Sequence, residues 1–187
     1  DLMEWPMEKL FMGEWRRKAF SETAKGDLLE VGVGTGTNIP LYHPDTMVTA
    51  VDFSRKMLAE AQRKALQRNG SAIRLIAADI QALPFASGAF HQALATFTFC
   101  SVPDPVQGLK ELARTVRPGG TIVLLEHMRP QNRWAGLLFD VFNPLMARIL
   151  GDNINRRTLE NVHAAGLKVR KVVDLKGGVV KIIVAEP

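Results

Sequence analysis

Residues 28 to 38 read LLEVGVGTGTN, an apolar run followed by Gly32, Gly34 and Gly36. Glycines at this spacing let a backbone come closer to a ligand than side chains would allow. A dinucleotide loop wants G-x-G-x-x-G, and here the last of those places holds Thr37. An S-adenosylmethionine loop wants an acid in front, as E-x-G-x-G-x-G, and Glu30 supplies it. A carboxylate beside the loop would help to hold the cationic amino-acid end of that cofactor. The plain alternative is a tight turn that binds nothing. Three spaced glycines behind an acid are more than a turn requires.

Two further acids close the next two strand patterns. Asp52 ends Val48-Thr49-Ala50-Val51-Asp52, about 20 residues on from the loop, where nucleotide folds place the carboxylate that accepts from the ribose hydroxyls. Asp79 ends Ala77-Ala78-Asp79 and could accept from an adenine amino group, with Phe53 and Ile80 as apolar walls. A single acid at a strand end is often only a turn residue. Three acids at three successive strand ends point to a nucleotide-like ligand.

If the loop holds S-adenosylmethionine, methyl transfer from its sulfonium would need alignment and dryness more than an added electrophile. A general base is needed only where the nucleophile carries a proton. His127, Glu126, Tyr42 and His43 are the candidates, with His127 and Tyr42 taken forward as catalytic. The ordinary readings are strand-end capping for Glu126 and His127, and a turn for His43-Pro44-Asp45. The single Cys100 follows Phe99 and reads as a small buried hydrophobe rather than a nucleophile. Thr96-Phe97-Thr98-Phe99 stands where exocyclic-amine nucleic-acid methyltransferases carry an Asn/Asp-Pro-Pro-aromatic motif, which disfavours a nucleic-acid substrate.

These residues need elements to position them. Strand patterns fall at 27–33, 47–53, 72–78, 91–97, 121–127, 167–175 and 179–185, with helical stripes between. Ser54 caps a helix that stops near Asn69-Gly70. Asp104-Pro105 starts another, with Gln107 placed for a capping box, and Arg117-Pro118-Gly119-Gly120 ends it. Strand–helix alternation predicts an α/β fold with a mostly parallel sheet and helices on both faces. The short Lys176-Gly177-Gly178 link makes a hairpin, so an antiparallel strand is expected at the sheet edge. At 187 residues a single domain over 1–187 is expected. One cysteine cannot form an internal disulfide, and no secretory leader or membrane-length apolar run is visible, so a cytoplasmic location is expected. The chain starts at Asp1, which suggests a trimmed N-terminus. A net charge of +5 would suit an anionic surface or simply solvate the protein.

As a set, Leu29 to Gly36, Val51-Asp52-Phe53-Ser54 with Met57-Leu58, Ala78-Asp79 with Leu83-Pro84-Phe85, and Leu112 to Gly120 resemble the class I S-adenosylmethionine-dependent methyltransferases. Phe99 to Pro105, Leu125-Glu126-His127, and Asn155-Arg156 with Thr158 look most like the branch of bacterial phosphatidylethanolamine N-methyltransferases, quinone C-methyltransferases and related membrane-associated animal proteins. The resemblance implies a seven-stranded Rossmann-like sheet with S-adenosyl-L-methionine across the strand ends. It implies cofactor contacts from Glu30, Gly32, Gly34, Gly36, Asn38, Asp52, Phe53, Met57, Asp79, Ile80 and Thr96, and substrate contacts from Trp15, Asn155 and Arg156, with no metal. The expected reaction is methylation of a phospholipid head group. Ring methylation of a quinone precursor, or methylation of another amine or thiol, is the alternative. A nicotinamide-dependent oxidoreductase and a non-catalytic binding protein are remote ones.

Two surfaces would choose the substrate. In the first, residues 1–24, Met7, Phe11, Met12, Trp15 and Ala19 share one helical arc and Lys9, Arg16 and Arg17 the other. That pattern suits a lid over the cofactor, or a lid that also lies on an anionic membrane on its inner face. In the second, residues 129–157, Trp134, Leu137, Leu138, Val141 and Phe142 form a stripe that Phe139 widens. Its apolar surplus fits a greasy substrate cap, a membrane patch or a dimer face.

Overall fold

The apolar run before the first glycine forms β1 (Leu28–Val31), all four residues buried. The computed structural model describes residues 12–68, 72–130 and 155–187, together with 132, 134, 136, 137, 140, 141, 143, 148 and 153. Ahead of β1 lies α1 (Gly13–Phe20). After it come a short 3-10 turn (Ile39–Leu41), β2 (Val48–Asp52), α2 (Arg55–Leu66), β3 (Ile73–Ala77), β4 (Phe90–Thr96), α3 (Pro105–Thr115), β5 (Val116–His127), α4 (Thr158–Ala164), β6 (Lys168–Lys176) and β7 (Val180–Glu186).

The seven strands form one sheet in the order β3-β2-β1-β4-β5-β7-β6. The first five run parallel. β7 inserts between β5 and β6 and runs against both, so the antiparallel pairing expected from the tight Gly177-Gly178 turn sits at this edge, with β6 outermost. The sheet order reverses beside β1, and in open α/β sheets that is where ligands gather.

Alternation along β5 shows how the sheet divides the core. Ile122 and Leu124 face one apolar cluster with Leu109, Leu112 and Val162. Val123 and Leu125 face the other with Trp15, Ala19 and Ile182. All four are fully buried, and truncating such a residue to Ala costs roughly 2–5 kcal/mol.

The expected helix starts are present. Ser54 Oγ accepts from the Met57 amide at 3.4 Å, and Asp104 Oδ1 from the Gln107 amide at 3.0 Å. Gln107 forms no capping box. Its side-chain amide reaches instead to the Gln81 carbonyl at 3.3 Å. Arg117 to Gly120 is a bulge within β5 rather than a loop, because Phe90 pairs with Val116 while Gln92 pairs with Thr121. Of the expected features, Met7, Phe11, the Asn69-Gly70 stop, Leu138, Phe139 and Phe142 lie outside the described residues. Among the described residues no helix is long and apolar enough to cross a membrane.

Candidate functional site

A cavity of about 630 Å³ opens at the carboxyl ends of β1 to β4, a size common for small-molecule sites. The glycine loop forms its floor. Gly32, Gly34 and Gly36 all have positive φ, at 69°, 55° and 78°, but their surroundings differ. A Cβ on Gly32 would lie 2.3 Å from Thr98 Oγ1, and one on Gly36 would lie 2.5 Å from Ile39 Cδ1 and 3.0 Å from the Ala61 backbone. A Cβ on Gly34 would meet nothing within 4 Å. Gly32 and Gly36 therefore serve packing, while Gly34 leaves its space to the cavity.

Asp52 stands beside this loop. Its two carboxylate oxygens accept from the Gly34 and Ser54 amides, each at 2.8 Å. That occupies two of about four acceptor positions and aims the carboxylate at the cavity it lines. Asp79 also lines the cavity and accepts from Gln81, through the amide at 2.8 Å and the side chain at 3.1 Å. Phe53 is 82% exposed and Met57 44%, and with Ile80 they border the cavity between the two acids. Apolar side chains left open beside carboxylates suit a flat heterocycle with polar edges.

Glu30 does not line the cavity. It lies fully buried beneath the loop, where Asn38 Nδ2 donates to one carboxylate oxygen at 2.7 Å and the Tyr42 hydroxyl donates to the other through a very short hydrogen bond. Burial raises the Glu30 carboxyl above its ordinary range, against the lowering effects of Tyr42, Asn38 and the Arg16 charge. The Tyr42 hydroxyl is pushed well above its usual range, first by burial and then by the Glu30 charge. Tyr42 is thus a buried donor to Glu30, away from the cavity, which corrects the expectation of a catalytic phenol. Asn38 and Gly36 likewise support the loop from behind instead of facing a ligand. Thr96 does line the cavity, and its hydroxyl accepts from Arg16 at 2.7 Å and Asn38 at 2.9 Å.

The α1 helix contributes differently from its expected amphipathic reading. Trp15 is buried in the core cluster on that face of the sheet, with the Lys176 ammonium 5.9 Å from its ring, and does not line the cavity. Met12 and Arg16 do. Arg16 therefore belongs to the site and not to an outward basic face.

The far wall is Phe97. Its φ of 54° is the one positive value at a non-glycine among the described residues, a conformation unusual for a bulky residue. Neighbours hold it there. The Phe97 amide donates to the Leu125 carbonyl at 2.7 Å, and Glu126 Oε1 accepts from the Thr98 and Phe99 amides at 3.0 Å each. The ring packs against His127, tilted by 36° with centroids 4.6 Å apart, and lies 5.3 Å from the Arg16 guanidinium. Phe97 lines the cavity and His127 does not, so His127 acts on the wall rather than on a ligand directly. Arg156 donates to the Val102 carbonyl at 2.6 Å and holds the 100–103 loop that closes this side. Asn155 donates to Asp140 at 3.1 Å. Neither Asn155 nor Arg156 lines the cavity; Arg156 braces its rim, while Asn155 is bonded within the 140–155 segment. Cys100 is buried, as expected.

Comparison with known proteins agrees with this geometry. Residues 29–124 match the family described as a methyltransferase domain. The chain belongs to the S-adenosylmethionine-dependent methyltransferases. Over 114 residues it is 39% identical to a phosphatidylethanolamine N-methyltransferase of Cereibacter sphaeroides, covering 60% of this chain and 56% of that protein. Over 147 residues it is 36% identical to a demethylmenaquinone methyltransferase of Thermus thermophilus, covering 75% of this chain and 66% of that protein. The matches thus span about half to two thirds of these relatives. Among solved structures, a SAM-dependent methyltransferase from Aquifex aeolicus superposes with a TM-score of 0.68 at 19% identity, covering 95% of this chain and 90% of the other. The geranyl diphosphate C-methyltransferase of Streptomyces coelicolor gives 0.73 at 16%, covering 94% and 79%.

The cofactor of this methyltransferase is S-adenosylmethionine, and the residues present fit it. Gly34 leaves an open cradle, Asp52 and Asp79 offer acceptors, and Phe53, Met57 and Ile80 offer apolar walls. When bound, the cofactor supplies a methyl carbon that is already electrophilic. The chain's own residues would then position the partners and exclude water. Sequence reasoning missed Met12, Phe97 and the inward aim of Arg16. Met12 is marked only as part of the lid arc, the positive φ of Phe97 shows only in the structure, and nothing local marks the inward aim of Arg16.

Proposed function

We propose that this methyltransferase acts on an apolar, membrane-borne small molecule, and that its leading substrate class is an amine-bearing phospholipid head group. The observation that carries this reading is an exposed apolar face beside the cavity rim. Trp134, Leu137 and Val141 are 77%, 53% and 66% exposed, at i, i+3 and i+7 on helical residues. Their segment is tied to the cavity's 100–103 loop by Asn153, whose amide donates to the Cys100 carbonyl at 3.1 Å, and by Arg156. This supports residues 129–157 as a substrate cap and α1 as a lid. A lipid lying against the cap would bring its head group to the cavity mouth. The similarity to the phosphatidylethanolamine N-methyltransferase favours the same class.

A second reading, ring methylation of a quinone precursor, is favoured by the similarity to demethylmenaquinone methyltransferase. Both substrates partition into membranes, so the exposed face fits either, and the inner face of the cytoplasmic membrane is the proposed place of action.

The test is transfer of labelled methyl from S-adenosylmethionine in three mixtures. These hold phosphatidylethanolamine vesicles, vesicles with a demethylated quinone, and a small apolar thiol. Label in the phospholipid is expected. Label only in the quinone moves the assignment to the second reading, and label only in the thiol overturns both.

A further inference from the structure

Among the described residues lining the cavity, Arg16 has the one cationic side chain. It is held there by long-range contacts. One guanidinium nitrogen donates to Asn38 Oδ1 at 3.0 Å and to Thr96 Oγ1 at 2.7 Å. Glu30 helps to set the Asn38 amide so that it can accept from Arg16. The Asn38 amide nitrogen donates to Glu30 Oε1 and to Thr96 Oγ1, which turns the amide oxygen toward Arg16. The Tyr42 hydroxyl donates to the second Glu30 oxygen. A buried chain therefore runs from Tyr42 through Glu30 and Asn38 to a guanidinium at the cavity wall.

Its place in the sheet is informative. Of the acids suited to ribose and adenine, Asp52 ends β2 and Asp79 follows β3, while Thr96 ends β4. From β2 to β4 the sheet crosses β1, two strand spacings or roughly 10 Å. A nucleoside anchored at Asp52 would thus direct its amino-acid end toward Arg16. That end carries a carboxylate, and a planar guanidinium suits a carboxylate.

We propose that Arg16 receives the carboxylate of the cofactor's amino-acid end, and that Glu30 is a positioning residue that aims Arg16 through Asn38. This rests on the S-adenosylmethionine reading and reassigns its motif acid. Glu30 does not meet the cationic end directly; it orients the group that meets the anionic end. Because Arg16 sits on α1, the same contact ties the lid helix to the bound cofactor.

The experiment is a calorimetric cycle with two ligands: S-adenosylhomocysteine, and its decarboxylated analogue with the carboxylate replaced by hydrogen. The parent should bind the first roughly tenfold or more tightly than the second, the scale of a charge-assisted hydrogen bond. Arg16→Gln should shrink that ratio to within about threefold, through weaker binding of the carboxylate ligand alone, and Arg16→Lys should restore part of it. Glu30→Gln should narrow the ratio while leaving the decarboxylated ligand's affinity unchanged. Equal weakening of both ligands by Arg16→Gln would make Arg16 structural and overturn the proposal, as would an unchanged ratio. If the parent binds neither ligand, the cofactor reading itself fails, and the proposal falls with it. Thermal melts of each variant identify any loss of fold.

Discussion

Replacing each loop glycine by alanine should separate binding from stability. At Gly34 the added methyl meets no protein atom within 4 Å. Its penalty to the fold is the left-handed backbone alone, φ 55°, about 1–2 kcal/mol, partly offset by the stiffer unfolded chain. For a chain of this size that lowers Tm by roughly 2–8 °C. The methyl stands in the cavity, so S-adenosylhomocysteine should bind on the order of tenfold to a hundredfold more weakly, the range of a forced overpacking contact. Gly36→Ala carries the same kind of strain, but its methyl also meets Ile39 Cδ1 at 2.5 Å and the Ala61 Cα at 3.0 Å. Overpacking adds roughly 1–3 kcal/mol, so its Tm should fall further than that of Gly34→Ala. Gly32→Ala, with Thr98 atoms at 2.3 to 2.9 Å, should behave like Gly36→Ala. Calorimetric titration and thermal denaturation of the three variants side by side read both effects. Gly34→Ala that binds like the parent would refute the cradle. Gly34→Ala that melts below Gly36→Ala would refute the packing argument.

Other outcomes follow from the same geometry. Asp52→Ala should weaken S-adenosylhomocysteine binding by about 1.5–3 kcal/mol, measured by calorimetry; unchanged affinity would remove the ribose assignment. Glu30 has its carboxyl raised by burial in the fold, so between its unfolded and folded values the native state holds more protons and stability falls as pH rises. The stability of the parent relative to Glu30→Gln should therefore be greatest at low pH and decline as pH climbs above the ordinary carboxylate range; denaturant melts showing a flat or rising difference would contradict this. Trp134→Glu with Leu137→Glu should reduce co-sedimentation with anionic vesicles, as should charge reversal at the exposed Arg17 and Lys18, and binding should weaken with salt because exposed charges are screened over about 8–10 Å. No sedimentation of the parent at low salt would remove the membrane contact.

The sheet, its helices and the gathering of the glycine loop, Asp52 and Asp79 at one cavity were legible in the residues. Strand and helix periodicities are local, and so is the adjacency of the glycine loop, Asp52 and Asp79 to the strands that end in them. Parallel pairing then brings those ends to one edge without further information. The tertiary structure alone decided what lies across the cavity. Arg16 meets Thr96 across 80 positions, and Glu126 holds the Thr98 and Phe99 amides across 28 and 27, contacts that no local pattern encodes. The motif acid Glu30 looked like a ligand group because its spacing is right. Its carboxylate is instead covered, since Tyr42 and Asn38 fold back over it. His127 and Trp15 looked available because strand-end and helix-arc positions leave two directions open. Packing chose the inward one for Trp15 and placed Phe97 at the cavity wall in place of His127. The three glycines read alike in the chain, and only their neighbours in space distinguish the one that yields room to a ligand from the two that yield it to the fold.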